Sequence, residues 1–358
     1  MNLTSINHNH RSEPQLNLDQ AFEHFVPHVE TELKNLFLNT PAHLRAFYGM
    51  IGYHMGWLDE EFLPTPQKSG KRLRPILCLL ACQSAGGNPM DALPAAAALE
   101  LIHNFSLVHD DIQDNSATRR HRKTVWTIWG QPHAINVGDG LFAIAFLSLS
   151  GLRQRLPGHR LGALYEHFAS ACLRLCEGQY MDMNFETQLE VSEAEYLTMI
   201  AGKTGALLGC ASQLGALIAT EDGTVVEKYR AFGEKLGLAF QIQDDILGIW
   251  GDPQVTGKPI ADDLLKCKKT LPVIYALERE KQLGKHILRD FYAHGSIVED
   301  SIPAVLELLR ELRALDYARR VNQSYCDEAL EQLSTLDADA TGRSLLEELV
   351  DRLRERSS

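Results

Sequence analysis

From Leu18 onward nearly every long segment of this 358-residue chain places apolar residues at i, i+3 and i+4, while alternating β-branched runs are scarce. Such a chain buries one stripe per segment at 3.6 residues per turn and has little to offer a sheet, so the expected fold class is all-α. The spacing predicts helices over 18–39, 42–55, 74–85, 90–114, 133–155, 160–189, 192–220, 225–249, 270–280, 284–292, 301–314, 318–333 and 340–356. Breaks fall at Pro64-Thr65-Pro66, Gly86-Gly87, Pro157-Gly158, the 251–259 loop and Gly295. None coincides with a shift in composition and no repeat of fixed period is present, so 18–358 reads as one large helical domain. Residues 1–17 read as a disordered arm whose His-Asn-His run is a chance feature of a polar tail.

Composition narrows the class of function. Hydrophobic residues make up 45% and charged residues 23%, ordinary values for a globular chain with a sizeable core. The net charge of −12 argues against a nucleic-acid partner, which calls for a basic face. The N-terminus lacks both a basic region and an apolar core, so no secretory signal is read. No uninterrupted apolar run is expected to span a membrane; the longest, 141–149, stops far short. Among seven cysteines, Cys78/Cys82 and Cys172/Cys176 stand four apart in apolar helical patterns, and buried small hydrophobes account for them better than zinc or disulfides. The expected compartment is the cytoplasm.

The chemistry concentrates between Glu100 and Thr124. At about 100° per residue, Asp110, Asp111 and Asp114 share one helical face with His103 and Leu107 below them. Three carboxylates on one turn repel unless something positive sits between them, and a hard divalent cation fits. A solvated acidic turn is the common alternative. Against it stand the almost wholly apolar lead-in from Ala95 to Val108 and the burst of charge at Arg119, Arg120, Arg122 and Lys123.

A second pair, Asp244-Asp245, ends another apolar helix after Phe240-Gln241. Two Asp-ended helices in one bundle can face each other and hold cations between them. Cations follow the same logic. Gly70-Lys71-Arg72-Leu73-Arg74-Pro75 is a compact basic loop before a helix expected to start at Pro75, where Lys71 and Arg74 can clamp an anion. Lys203-Thr204-Gly205 interrupts an apolar helix, and Lys258 and Lys268 follow the second acidic pair. Each alone reads as a solvated side chain. Together they describe a diphosphate held between Mg²⁺ and basic groups, above an apolar pocket that keeps water from a carbocation.

These motifs carry a resemblance. Lys71 and Arg74 before Pro75, Asp110-Asp111-x-x-Asp114 with Arg119-Arg120, and Phe240-Gln241-x-x-Asp244-Asp245 resemble the trans-isoprenyl diphosphate synthases of the polyprenyl synthetase family. The resemblance implies a single helical bundle around a central cavity, a homodimer, and a cluster of Mg²⁺ ions, commonly three. It implies that Asp110, Asp111, Asp114, Asp244 and Asp245 provide the metal ligands, with Arg119, Lys203 and Lys258 on the allylic diphosphate. Lys71, Arg74, His103 and Arg120 would bind the diphosphate of isopentenyl diphosphate. Gln179 and Gln241 match polar positions near the allylic group, Thr204 would shield the carbocation, and Lys268 would cover the metal site on closure.

Two departures bear on the chemistry. The family's Arg-Arg-Gly-x-Pro-Thr is here Arg119-Arg120-His121-Arg122-Lys123-Thr124, which implies a less tightly turned, more basic loop. The last position of the second motif is Gly248, so a replacement carboxylate is expected from Asp252, Asp262 or Asp263. Phe105 with small Ser106 beside it resembles synthases that stop near twenty carbons, implying geranylgeranyl diphosphate, although on the helical wheel Phe105 projects away from the aspartates. A terpene cyclase on the same fold and a non-catalytic partner subunit are the competing readings.

Overall fold

The computed structural model describes residues 17–65, 70–252 and 261–355. The expected arm therefore lies outside the described residues except for Asn17, which caps the first helix. Helix α1 (Leu18–Asn35) starts on a reciprocal cap: Gln20 N–H donates to Asn17 Oδ1 at 2.9 Å and Asn17 N–H to Gln20 Oε1 at 3.1 Å. Helix α2 (Arg45–His54), α3 (Leu73–Ser84) and α4 (Leu93–Gln113) follow. A hairpin of β1 (Thr118–Arg119) and β2 (Arg122–Lys123) holds the only strands longer than an isolated bridge among the described residues.

Helices α5 (Val125–Trp129), α6 (Gln131–Leu149) and α7 (Gly158–Thr187) come next. The expected helix over 192–220 is one rod with a wide turn inside it. Helix α8 (Glu193–Ile200) passes through a π-helical segment (Ala201–Gly205) into α9 (Ala206–Ala219). Helices α10 (Gly223–Trp250), α11 (Asp262–Leu265), α12 (Leu271–Gln282), α13 (Ile287–Ala293), α14 (Ile302–Glu311), α15 (Ala314–Ser334) and α16 (Ala340–Glu355) complete the order.

Helix α9 is the axis. Every residue from Ala206 to Leu217 is buried, with α3, α10 and α7 packed along it. A helix apolar on all sides belongs at the centre of a large helical protein. A second, smaller cluster gathers α11 to α14 at one end through Leu264, Val273, Val305 and Leu309.

Several expectations change at the element ends. Helix α3 begins at Leu73, so Pro75 is its third residue, still in the first turn where its missing N–H costs nothing. The stretch between Asp114 and His133, for which no element was expected, folds into the hairpin and α5. Arg313, left-handed at φ 59°, separates α14 from α15. Among the described residues one helix, Gln131–Gln154, is long and apolar enough by length and composition to cross a membrane, although Asn136 and Asp139 interrupt its apolar run. With 39% of its most apolar 18-residue stretch buried, chiefly against α4, it serves as a core helix with one apolar side uncovered.

Candidate active site

The two acidic helix ends do meet. Asp110 at the end of α4 and Asp244 near the end of α10 line one cavity of about 550 Å³, together with Lys203 and Thr204 of the π segment, Gln179 of α7, and Phe240 and Gln241 of α10. Arg74, His103, Arg119 and Arg120 line it as well, as do Phe105 and Ser106. Close helix crossings deliver these groups. A Cβ on Gly178 would lie 2.2 Å from Lys203 N, so α7 rests directly on the π segment; a Cβ on Gly237 would lie 2.6 Å from Gly205 Cα, seating α10 on its other side. Insertion of a π turn re-aims the side chains it carries, a device common at functional sites.

The acidic groups have separated roles. Asp110 is buried enough that desolvation raises its pKa, with Lys203 opposing and Asp114 reinforcing that rise. Asp111, 100° round the helix, points elsewhere: it is 2% exposed and accepts from Arg119 Nε at 2.8 Å. Burial pushes its pKa to about 6 against the pull of Arg119. The shared face inferred from the wheel is thus split by packing. Asp114 caps α4 and is exposed. Asp245 is turned away from the cavity, accepting from Tyr196 OH at 2.6 Å, Leu271 N at 3.1 Å and Gln241 Nε2 at 3.1 Å, and burial raises its pKa to about 7. Its oxygens are engaged in holding α8, α10 and α12 together.

Among the basic groups, Lys203 Nζ donates to Asp182 Oδ2 at 2.5 Å; burial pushes its pKa down, but Asp110 and Asp182 hold it above its usual value. Thr204 Oγ1 donates to Gln241 Oε1 at 2.8 Å, which fixes both. His103 is driven well below its ordinary pKa by burial and then by Arg74, Arg120 and Arg119, so it is neutral at rest. Lys71 is exposed and is not among the cavity-lining side chains. Lys268 Nζ lies 4.0 Å from Asp263 Oδ1; burial pulls its pKa down, but Asp263, Asp182 and Asp114 hold it above its usual value. Lys258 lies outside the described residues.

Among the described residues no three carboxylate, histidine or thiolate groups converge into a ready-made metal cage. The donor set still suits a hard cation: Asp110 is a desolvated carboxylate held among other acids, and oxygen ligands few in number fit an ion that completes its shell with substrate oxygens and water. The arrangement can therefore grip two anions, one at an acidic rim through cations, Lys203 and Arg119, one at a basic end through Arg74, His103 and Arg120, above an apolar wall.

Comparison with known proteins decides the family. Residues 56–309 match the family model described as polyprenyl synthetase. The chain belongs to the polyprenyl synthetase family. A geranylgeranyl diphosphate synthase of Mycobacterium tuberculosis is 42% identical over 261 residues, spanning 73% of this chain and 74% of its own. A (2E,6E)-farnesyl diphosphate synthase of the same organism is 40% identical over 263 residues, 73% and 72% of the two chains. The crystal structure of a geranylgeranyl pyrophosphate synthetase from Pyrococcus horikoshii superposes with a TM-score of 0.84 at 33% identity, covering 95% of this chain and 99% of that one.

Within this polyprenyl synthetase the departures acquire physical form. The loop after the first aspartates is tightly turned, contrary to the expectation of a looser one: Arg120 and His121 take φ 50° and 61° in a two-residue hairpin turn that Asn-Gly usually fills. Cross-strand pairing of Thr118 with Lys123 and Arg119 with Arg122 imposes it, and Arg122 anchors it by donating to the Tyr53 and Leu58 carbonyls. At Gly248 the neighbouring carboxylate is Asp263. A Cβ on Gly248 would stand 1.9 Å from Asp263 Oδ2, so the Asp263 side chain fills the space one turn beyond Asp244. Asp262 instead pairs with Lys266 at 2.8 Å.

Sequence reasoning missed Asp182 and Glu186 of α7. Asp182 holds Lys203, and the raised pKa of Glu186, due to burial and then to Asp114 and Asp182, places it beside the acidic rim. Gln179, Asp182 and Glu186 stand at i, i+3 and i+7, which was the available signal. His54, held neutral with a pKa of about 3 by burial and by Arg119 and Arg120, was also missed.

Proposed function

We propose that this prenyltransferase condenses isopentenyl diphosphate with an allylic diphosphate to give a linear trans-prenyl diphosphate, chiefly geranylgeranyl diphosphate. The observation that carries the reading is that Asp110, Asp244 and Lys203 share one cavity with Arg74, His103 and Arg120, so that two separate anion sites open on one apolar wall. A terpene cyclase has no use for the second.

Mg²⁺ ions at Asp110, Asp114 and Asp244, three by the family's habit, would supply Lewis-acid stabilisation of the departing diphosphate. Lys203, kept protonated by Asp110 and Asp182, adds a fixed positive charge to the same group. The allylic carbon–oxygen bond breaks with its electron pair on diphosphate. The isopentenyl double bond then supplies the pair for the new carbon–carbon bond, and the proton it sheds passes to the released diphosphate. Arg119 adds to the charge on the allylic diphosphate, while Arg74, Arg120 and His103 hold the second substrate; the neutral imidazole can donate one N–H without adding charge. Phe240, Leu175 and Leu107 keep water from the cation.

The wall supports the product. Phe105, which the helical wheel turned away from the aspartates, lines the same cavity, and its ring meets Phe142 at 5.1 Å; Phe142 in turn meets Phe146 at 5.2 Å. A pocket floored by one phenylalanine with Ser106 beside it leaves room that a second ring would fill.

The homodimer reading rests on the uncovered side of α6, where Leu147 is 65% and Ile135 46% exposed. Apolar side chains this open on a core helix call for a partner surface. Leu147→Arg is expected to convert a dimer to a monomer in sedimentation velocity; an unchanged mass would place the interface elsewhere.

The functional reading is tested by incubating the protein with Mg²⁺ and an allylic primer, with and without isopentenyl diphosphate. Product that needs both substrates supports elongation. Hydrocarbon from the primer alone would mean a cyclase, and no product from any primer would favour the non-catalytic subunit.

A further inference from the structure

The basic end of the cavity is a cluster of like charges. Arg74, Arg119 and Arg120 converge around His103, and such groups push one another apart when no anion lies between them. Something fixed must hold them.

Arg72 carries the first sign of what does. Its backbone is left-handed, at φ 53° and ψ 33°, a conformation that costs free energy in a non-glycine residue and persists only where the surroundings enforce it. Its side chain is wholly enclosed and bridges two helices, donating from Nε to Glu30 Oε1 of α1 at 2.7 Å and from Nη1 to Glu100 Oε1 of α4 at 2.5 Å. Asn104 Nδ2 donates to the same Glu100 oxygen at 2.8 Å. Glu100 is 2% exposed and Asn104 is fully buried.

The two carboxylates are not equivalent. Glu100 acts on Arg72 and is also the strongest favourable charge on Arg74 and on Arg120. Glu30 acts on Arg72 without figuring among the main charges on the other two. Arg120 is further tied to the same loop by contact, since a Cβ on Gly70 would lie 2.6 Å from Arg120 Nη2.

We propose that Glu100 is a positioning residue for the isopentenyl diphosphate clamp, a permanent internal anion that keeps the Arg72–Arg74 turn and Arg120 converged before the substrate arrives. The inference rests on the reading of that clamp given above. Glu100 touches no substrate and acts through Arg72, Arg74 and Arg120. A clamp assembled in advance avoids the ordering cost at the moment of binding, so its loss falls on the affinity of one substrate.

The test is steady-state kinetics of Glu100→Gln and Glu30→Gln in the full chain, each substrate varied in turn, with thermal melts beside them. Each variant neutralises one of the two carboxylates on Arg72 at nearly constant shape, so both carry a structural cost. Glu100→Gln is expected to raise KM for isopentenyl diphosphate about tenfold and leave KM for the allylic diphosphate within about twofold. Glu30→Gln is expected to move the isopentenyl KM less than about threefold for a comparable drop in Tm. Should Glu100→Gln fail to fold, Asn104→Ser removes the donor that holds the Glu100 oxygen and is expected to shift the same KM in the same direction. An unchanged isopentenyl KM, or shifts in the two Glu variants that merely follow their losses of Tm, would overturn the proposal. The wild-type chain in the same assay separates this from the functional reading, which fails if turnover does not require isopentenyl diphosphate.

Discussion

Asp110→Asn is expected to cut kcat about a thousandfold, a loss of about 4 kcal/mol of transition-state stabilisation, while the chain stays folded. The side chain lines the cavity among Asp114, Asp182 and Lys203, so removing its charge removes a cation ligand where the leaving diphosphate gathers negative charge. The effect on stability runs the other way. Burial raises the pKa of Asp110, which means that folding disfavours its ionised form, so at neutral pH the neutral amide relieves a strain. Lys203 keeps Asp182 as a partner. The metal-free variant should therefore show the wild-type circular dichroism spectrum and a Tm equal to or above wild type. Near-normal turnover would remove the metal assignment. Asp111→Asn is a different experiment, because it unpairs Arg119 and acts through the basic group.

Phe105→Ala is expected to lengthen the main product by at least one isoprene unit. Phe105 closes the cavity between the edge of His109, 4.8 Å away by ring centroids, and Phe142. Truncation opens the space as far as Phe142, which is backed by Phe146 and, at 5.1 Å from that ring, by Phe168, so the chain gains depth but meets a second aromatic layer. The stability cost should sit near the low end of the roughly 3–5 kcal/mol typical of phenylalanine truncation, because one side of the ring already faces a void. Mass analysis of the dephosphorylated products measures the shift. An unchanged spectrum would show that the floor lies elsewhere.

How far the sequence could be read follows from what each group depends on. The all-α fold, the α4 and α10 acidic ends and Lys203 were legible because local periodicity and spacing carry them. Even the π segment announced itself, through the Lys203-Thr204-Gly205 break in an apolar run. What local pattern could not tell was which way adjacent acids turn: Asp111 is claimed by Arg119 and Asp245 by Tyr196, Gln241 and Leu271, all tertiary partners. Asp182 shares its face of α7 with Gln179 and Glu186, but that spacing does not say what the face meets until Gly178 brings the helix against Lys203. The Arg72 bridge joins residues 42 and 28 positions away, which no periodicity encodes. The tight hairpin was misjudged because Arg120 and His121 are poor turn residues, and strand pairing together with the anchoring of Arg122 overrides that preference.

The most direct test of the central claim is the product of one incubation: purified protein, Mg²⁺, isopentenyl diphosphate and farnesyl diphosphate, with mass analysis of the dephosphorylated prenyl alcohols. Two anion sites opening on one floored cavity predict a linear twenty-carbon alcohol that forms only when both substrates are present. A hydrocarbon formed from farnesyl diphosphate alone, or intact primer after full metal loading, would contradict the account.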